Sequence, residues 1–153
     1  MATTLAYIAS LCTRKYTSSA NAKNDVACQE FYDSSYNYVG VISFPGLNLM
    51  NKVITEIWLD IDAEKAGYGV KNTKTVYLRK ANYQDDIAFG VTGGQYVGDE
   101  LGTFEGAFYG NYNGYHITGP LFDAMATYIS AGNNSFTIYN PSATASPHGY
   151  SYN

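Results

Sequence analysis

The chain has 153 residues, a length typical of one domain that buries its own hydrophobic core. Charged residues make up 14% of it, against about 25% in average globular proteins, whereas tyrosine alone contributes 16 residues. The net charge of −4 gives no basic surface for nucleic acid, and no stretch is apolar enough for membrane insertion. We therefore expect a β-rich protein that works outside cells or on a particle surface.

The first residues predict a strand, because Leu5, Tyr7, Ala9 and Leu11 fall on one face of an extended segment. The next strand lies in "SSYNYVGVISFPG", whose β-branched and aromatic residues end at Pro45 and Gly46. A polar segment without periodicity separates the two strands. These patterns are typical of a sheet protein with short, turn-bounded strands.

Two cysteines, Cys12 and Cys28, flank that polar segment. In an exported protein they would pair and close a loop, whereas in a protein assembled inside the cell they would be small buried hydrophobes. The first 15 residues lack the basic segment of a secretory signal. We therefore expect free thiols, with the disulfide as the alternative.

The stretch "VITEIWLDID" alternates with period two and carries the chain's only tryptophan. One face is apolar and should point inward, while the other face carries acids and the tryptophan and should point to solvent. The predicted inward residues are Val53, Thr55, Ile57, Leu59 and Ile61. The predicted outward residues are Glu56, Trp58, Asp60 and Asp62.

A second strand, "TKTVYLRK", follows a glycine-punctuated connection and should return beside the first. Val76 and Leu78 are predicted to point inward, and Tyr77 and Arg79 outward. If the two strands form a hairpin, Asp60 or Asp62 faces Arg79 or Lys80 across the ladder.

The C-terminal third predicts a strand in "GTFEGAFYG", a helix in "GPLFDAMATYISAGNN" and a last strand in "SFTIYNP". Pro120 is acceptable in the first helical turn, and Gly132 supplies a stop. The chain is thus predicted to be a single all-β domain, residues 1–153, with a jelly-roll β-sandwich fold and one short α-helix near the C-terminus. The predicted core comprises Leu5, Tyr7, Val41, Ile42, Phe44, Val53, Ile57, Leu59, Ile61, Val76, Leu78, Phe104, Met125, Ile129, Phe136 and Ile138.

Catalytic chemistry finds no support in the sequence. His116 and His148 fall in predicted loops, and no nucleophile motif or zinc-ligand spacing accompanies them. Asp60, Asp62 and Glu64 form a weak calcium candidate, but they lack the glycine and glutamate of a helix–loop–helix calcium loop. An ion pair with a basic residue explains them better. We expect no enzyme activity and no cofactor.

The remaining feature is aromatic. Trp58, Tyr77 and the loop residue Tyr68 should share the outer side of the predicted hairpin, with Glu56, Asp60 and Arg79 at its edges. Three interpretations stay open: a pair of rings that only stabilises the hairpin, a contact for another protein, or a platform for sugar rings.

The stretch "YNYVGVISFPGLNLMNKVITEIWLDI" resembles the DNRLRE-type modules, which are β-sandwiches of bacterial surface proteins and polysaccharide-active enzymes. Together with "KTVYLRKANYQ" and "YISAGNNSFTIYNP", it is also similar to stalk and tail-fibre modules encoded in prophages. The chain departs from the DNRLRE pattern at Thr55 and Glu56, where small residues are usual. The matching residues are Val41, Ile42 and Phe44 in the first strand and Lys52, Ile54, Ile57 and Leu59 in the second.

This resemblance implies a scaffold with a structural or binding role and carries no catalytic residue. We expect a non-enzymatic assembly or attachment module of a virion, tail fibre or cell surface. Its expected partners are other protein subunits, in a homo-oligomer or larger assembly, with host glycan as a further ligand. The alternative is a carbohydrate-binding module of a secreted polysaccharide-degrading enzyme. The sandwich also calls for a closing strand after the tail. We expect this domain to lack that strand or to borrow it, so that it either follows in a longer polypeptide or comes from another chain.

Overall fold

The protein is described by a computed structural model, which covers residues 3–7, 11–16, 22–23, 26–28, 38–63, 73–84, 92–107, 110–139 and 150–152. This part of the chain contains short strands, a single helical turn and one longer helix. The strands are β1 (Leu11–Tyr16), β2 (Ala22–Lys23), β3 (Val26–Cys28), β4 (Tyr38–Ser43), β5 (Ile57–Ala63), β6 (Thr73–Ala81), β7 (Val97–Ala107), β8 (Gly110–Ile117), β9 (Ser135–Ile138) and β10 (Tyr150–Tyr152). The helices are α1 (Gly93–Tyr96) and α2 (Gly119–Ser130).

The strands form two antiparallel sheets. The first has the order β2-β1-β4-β9-β6-β7, and the second has the order β3-β10-β5-β8. Most of the described residues lie in these sheets, and α2 is the only helix longer than one turn among them. The predicted all-β class with one short helix near the C-terminus is therefore confirmed.

The main core lies between the first sheet, the second sheet and α2. Adjacent residues of a strand point to opposite faces, so Ile42 reaches this core while Val41 points away from it. Of the predicted core, Val41, Val76, Leu78, Met125, Ile129, Phe136 and Ile138 are buried. Half-buried side chains that pack against the main core are Tyr7, Ile42, Phe44, Ile57, Leu59 and Phe104.

A smaller apolar cluster covers the opposite face of the first sheet. Val39 and Val41 of β4 pack there against Tyr96, which comes from the single turn α1. Tyr83 and Tyr139 flank this cluster, and the rings of Tyr83 and Tyr96 lie 4.9 Å apart. The first sheet is thus apolar on both faces where α1 crosses it, which explains why β4 lacks strict alternation.

Helix α2 begins and ends as its sequence predicts. Gly119, its first residue, has φ of 63°, and Pro120 follows in the first turn. Gly132, two residues after the end of the helix, has φ of 92°. Its buried face is formed by Leu121, Met125, Tyr128 and Ile129. No helix in the described part of the chain is long and apolar enough to cross a membrane.

The predicted N-terminal strand is wrong in its position. Residues 3–7 form no strand, Leu5 is 55% exposed, and β1 begins only at Leu11. Val53 was also predicted to be buried, but its side chain is 91% exposed. The reason is pairing: β8 ends at Ile117 opposite Ile57, and the chain then turns into α2. Strand β8 therefore does not extend beside the residues that precede Ile57, and Val53 is left exposed.

The predicted hairpin is wrong as well. Strand β5 pairs with β8 and β10 in the second sheet, whereas β6 pairs with β7 and β9 in the first. Asp60 therefore does not face Arg79 or Lys80. Arg79 instead pairs with Glu100 at 3.1 Å, and Lys80 pairs with Asp99 at 3.3 Å, both on β7.

Candidate functional site

The outer face of the second sheet carries an aromatic stack. Ile57 and Leu59 of β5 pack towards the core, so Trp58 between them points outward, as predicted, and is 55% exposed. Its partner across the ladder is His116 of β8. The two rings are nearly parallel, with centroids 4.3 Å apart and an angle of 8° between their planes.

A glycine on β8 leaves space for the indole. A Cβ atom on Gly114 would lie 3.2 Å from Cε3 and 3.5 Å from Cζ3 of Trp58. Gly114 also has φ of 85°, in the region where side chains are strained. Gly114 lies at the β-bulge of β8, where the register of β5 against β8 shifts between Leu59 and Ile61. The bulge thus places a residue without a side chain beside the indole.

Two exposed acids accompany the stack. Glu56 precedes Trp58 by two residues, and its Oε2 accepts a hydrogen bond of 3.4 Å from the indole Nε1. Asp60 follows Trp58 by two residues and is also exposed. We call Glu56, Trp58, Asp60 and His116 the Trp58 surface. It offers a flat apolar ring, one imidazole and two carboxylates to solvent.

The other predicted site residues do not join this surface. Tyr77 and Arg79 lie on β6 in the first sheet, and the Arg79 side chain is engaged within the fold. Its Nε donates to the Tyr139 carbonyl at 3.1 Å, and a terminal nitrogen donates to the Gly98 carbonyl at 3.3 Å. The guanidinium therefore holds β6, β7 and the end of β9 together and is not offered to a ligand.

The calcium candidates can be followed only in part. Tyr68 and Glu64 lie outside the described residues, as does the side chain of Asp62. Asp60 lies in β5 with its side chain in solvent. Within the described ranges, no group of three or more histidine, cysteine, aspartate or glutamate side chains is placed to hold a metal ion.

Cys12 and Cys28 lie on strands of different sheets.

Sequence reasoning missed His116 and Gly114, because "NYNGYHITG" contains the asparagine and glycine that are typical of turns. The alternation of Tyr115 and Ile117 against Gly114 and His116 was the available signal. In the structure, Tyr115 and Ile117 do pack into the main core while His116 is exposed.

One edge of β5 lacks a paired strand along most of its length among the residues that the structure describes. Strand β8 runs along one edge of β5, but on the other edge β10 pairs only at Tyr152 and Ala63. No strand among the described residues continues this pairing from Asp62 back to Ile57. Within the described part of the chain, the outer edge of β5 beside Trp58 thus has no paired strand, and backbone N–H and C=O groups at such an edge can bind another strand.

Comparisons with protein-family models, with curated proteins and with solved structures found no match to this chain. The site must consequently be interpreted from its own geometry.

Removal of the indole should leave the fold intact. For Trp58→Ala we expect a loss of at most about 1 kcal/mol in the free energy of unfolding, because the variant loses one exposed cross-strand pair. Thermal unfolding followed by circular dichroism should remain cooperative. Leu59→Ala, which truncates the inward neighbour, should lose more; a reversed order would place Trp58 in the core.

Gly114→Ala tests the fit between β8 and the ring. We expect a loss of about 1 to 2 kcal/mol, from the strained backbone angle, together with a shift in the emission of Trp58 as the ring is displaced. Gly46→Ala is the matched control, since a Cβ there would meet nothing within 4 Å. Equal stability of the two variants in urea denaturation would contradict the proposed contact.

Proposed function

We propose that this chain is a non-enzymatic structural and attachment module of a phage particle, a tail fibre or a cell surface. It acts through assembly with other protein subunits, in a homo-oligomer or larger array. The observation that supports this role is the edge of β5 that lacks a paired strand in the described part of the chain, where β10 pairs with Ala63 alone. Backbone groups at such an edge favour addition of a strand from another chain.

The fold that we propose for this module is a jelly-roll β-sandwich. Two antiparallel sheets that enclose a shared apolar core are compatible with it. The resemblance of residues 36–61 to DNRLRE-type modules points in the same direction. This resemblance implies a scaffold with a structural or binding role.

A carbohydrate-binding module is the second candidate, and the Trp58 surface favours it. An exposed indole held flat beside two carboxylates can contact the apolar face of a sugar and accept hydrogen bonds from its hydroxyls. A module with this surface would act as the attachment part of a secreted, polysaccharide-degrading enzyme.

A pair of variants at one position tests the assembly role. Asp60 lies at the register shift between β5 and β8, where Asn113 and Gly114 of β8 stand opposite this one residue, and sheets tolerate proline best at such irregularities. Asp60→Pro removes a backbone donor from β5 and should reduce self-association. Asp60→Ala removes the same carboxylate but keeps the N–H, and should associate as the unchanged protein does.

Sedimentation velocity at matched concentrations measures both variants, and circular dichroism checks that both are folded. If Asp60→Pro assembles as readily as Asp60→Ala, pairing along β5 is not the means of assembly.

A further inference from the structure

We propose that the Trp58 surface is a binding site for a neutral, pyranose-containing glycan. This inference deepens the attachment role proposed above by naming the class of ligand, and it rests on that role. It concerns the solvent face of β5 and not its backbone edge, so binding of glycan and assembly of subunits are separate properties of the same strand.

The first argument is the availability of the ring. A parallel stack covers one face of each aromatic ring, and Trp58 keeps 55% of its surface exposed although His116 lies against it. Because Gly114 has no side chain, the benzo edge of the indole lies close to β8 without being displaced. The C–H groups of a sugar ring can pack against such an exposed aromatic surface.

The second argument is that the ring is held in place before a ligand arrives. His116 fixes the plane of the indole, and Glu56 accepts its N–H. A side chain that is already ordered loses less conformational entropy on binding than a free one. An isolated exposed tryptophan without these two contacts would have to order itself at the cost of affinity.

The third argument is the position of hydrogen-bond acceptors. Glu56 and Asp60 lie two residues before and after Trp58, so each is displaced by roughly 7 Å along the strand direction. This span suits one sugar ring stacked on the indole, with hydroxyl groups directed to a carboxylate on either side. His116 adds imidazole nitrogens beside the ring.

The charges decide between classes of ligand. Two carboxylates beside the ring repel sulfated or uronic-acid glycans, and the net charge of −4 adds to that repulsion. A protein partner is also less suited to this face, because the centres of protein interfaces are depleted of charged residues. Sugar hydroxyls, in contrast, donate well to carboxylates that remain partly hydrated.

Trp58 is the only tryptophan of the chain, so its fluorescence reports on this surface directly. The test begins with the unchanged protein on an array of neutral gluco-, manno-, xylo- and galacto-oligosaccharides, beside sulfated and uronic-acid glycans. The strongest neutral glycan is then titrated while Trp58 emission is followed. We expect a saturable change, and calorimetry should give the same affinity.

Variants locate the site by calorimetry. Trp58→Ala should weaken binding by at least about tenfold, whereas Trp58→Phe should retain part of the affinity because a ring remains. Tyr77→Ala, on the first sheet, should bind as the unchanged protein does. The proposal is overturned if no neutral glycan binds, if anionic glycans bind more tightly, or if Trp58→Ala binds normally. Self-association is measured in the same samples. If the protein self-associates but binds no glycan, this site fails while the assembly role stands.

Discussion

Phe136→Ala should lower the free energy of unfolding by about 3 to 5 kcal/mol, the largest effect that we expect from a single substitution. Phe136 is 4% exposed and lies in β9, between β4 and β6 of the first sheet. The centroid of its ring lies 6.2 Å from that of Phe44 and 5.4 Å from that of Tyr128, and both pairs are edge to face. Truncation leaves a cavity where β4, β9 and α2 meet, and it also removes two aromatic contacts.

Urea denaturation followed by far-ultraviolet circular dichroism measures this loss. Phe136→Leu keeps most of the volume and should lose clearly less. If Phe136→Ala costs below about 1 kcal/mol, Phe136 does not lie in a packed core, and the pairing of β9 between β4 and β6 is wrong.

Tyr128→Phe should destabilise the fold by about 1 to 3 kcal/mol, because it deletes one oxygen that satisfies several buried polar groups. The Tyr128 hydroxyl donates to the Ser135 carbonyl at 2.9 Å and accepts from the Ala81 N–H at 3.2 Å. It also accepts from Gln84 Nε2 at 2.8 Å. Helix α2 is thereby fastened to the end of β6 and to the start of β9.

The matched control for this substitution is Tyr139→Phe. No hydrogen bond of the Tyr139 hydroxyl is found among the described residues, so its removal should change stability by less than about 0.5 kcal/mol. Equal losses for the two variants in urea denaturation would show that the Tyr128 hydroxyl does not connect α2 to the sheet.

Local pattern predicted the faces of the elements well. The alternation around Trp58 placed Ile57 and Leu59 towards the core and the indole in solvent, because the period of a strand is fixed by the backbone alone. Helix α2 could be predicted equally well, because Met125 and Ile129 repeat with helical spacing and Gly132 ends the pattern. These features need no knowledge of distant residues.

Pairing between strands could not be obtained in the same way. β5 and β6 are neighbours in sequence, which favoured a hairpin, yet β5 pairs with β8, about 50 residues further along the chain. The partner of Trp58 is therefore His116 and not Tyr77. The same cause explains Val53, since the alternation continues through it but the partner strand does not.

The open edge of β5 and the Trp58 surface both depend on these distant pairings. The predicted sandwich needs a closing strand. The tail itself forms one short strand, β10, at Tyr150–Tyr152. It lies between β3 and β5, and within the described ranges its one paired residue on β5 is Ala63. Most of the β5 edge has no paired strand among the described residues, and the proposed assembly role rests on this observation.

The most direct test of this role is the mass of the protein in solution, measured by light scattering after size exclusion across a hundredfold range of concentration. Assembly through the β5 edge predicts a mass that rises with concentration to a defined oligomer or a growing polymer. A mass equal to one chain at every concentration would contradict it.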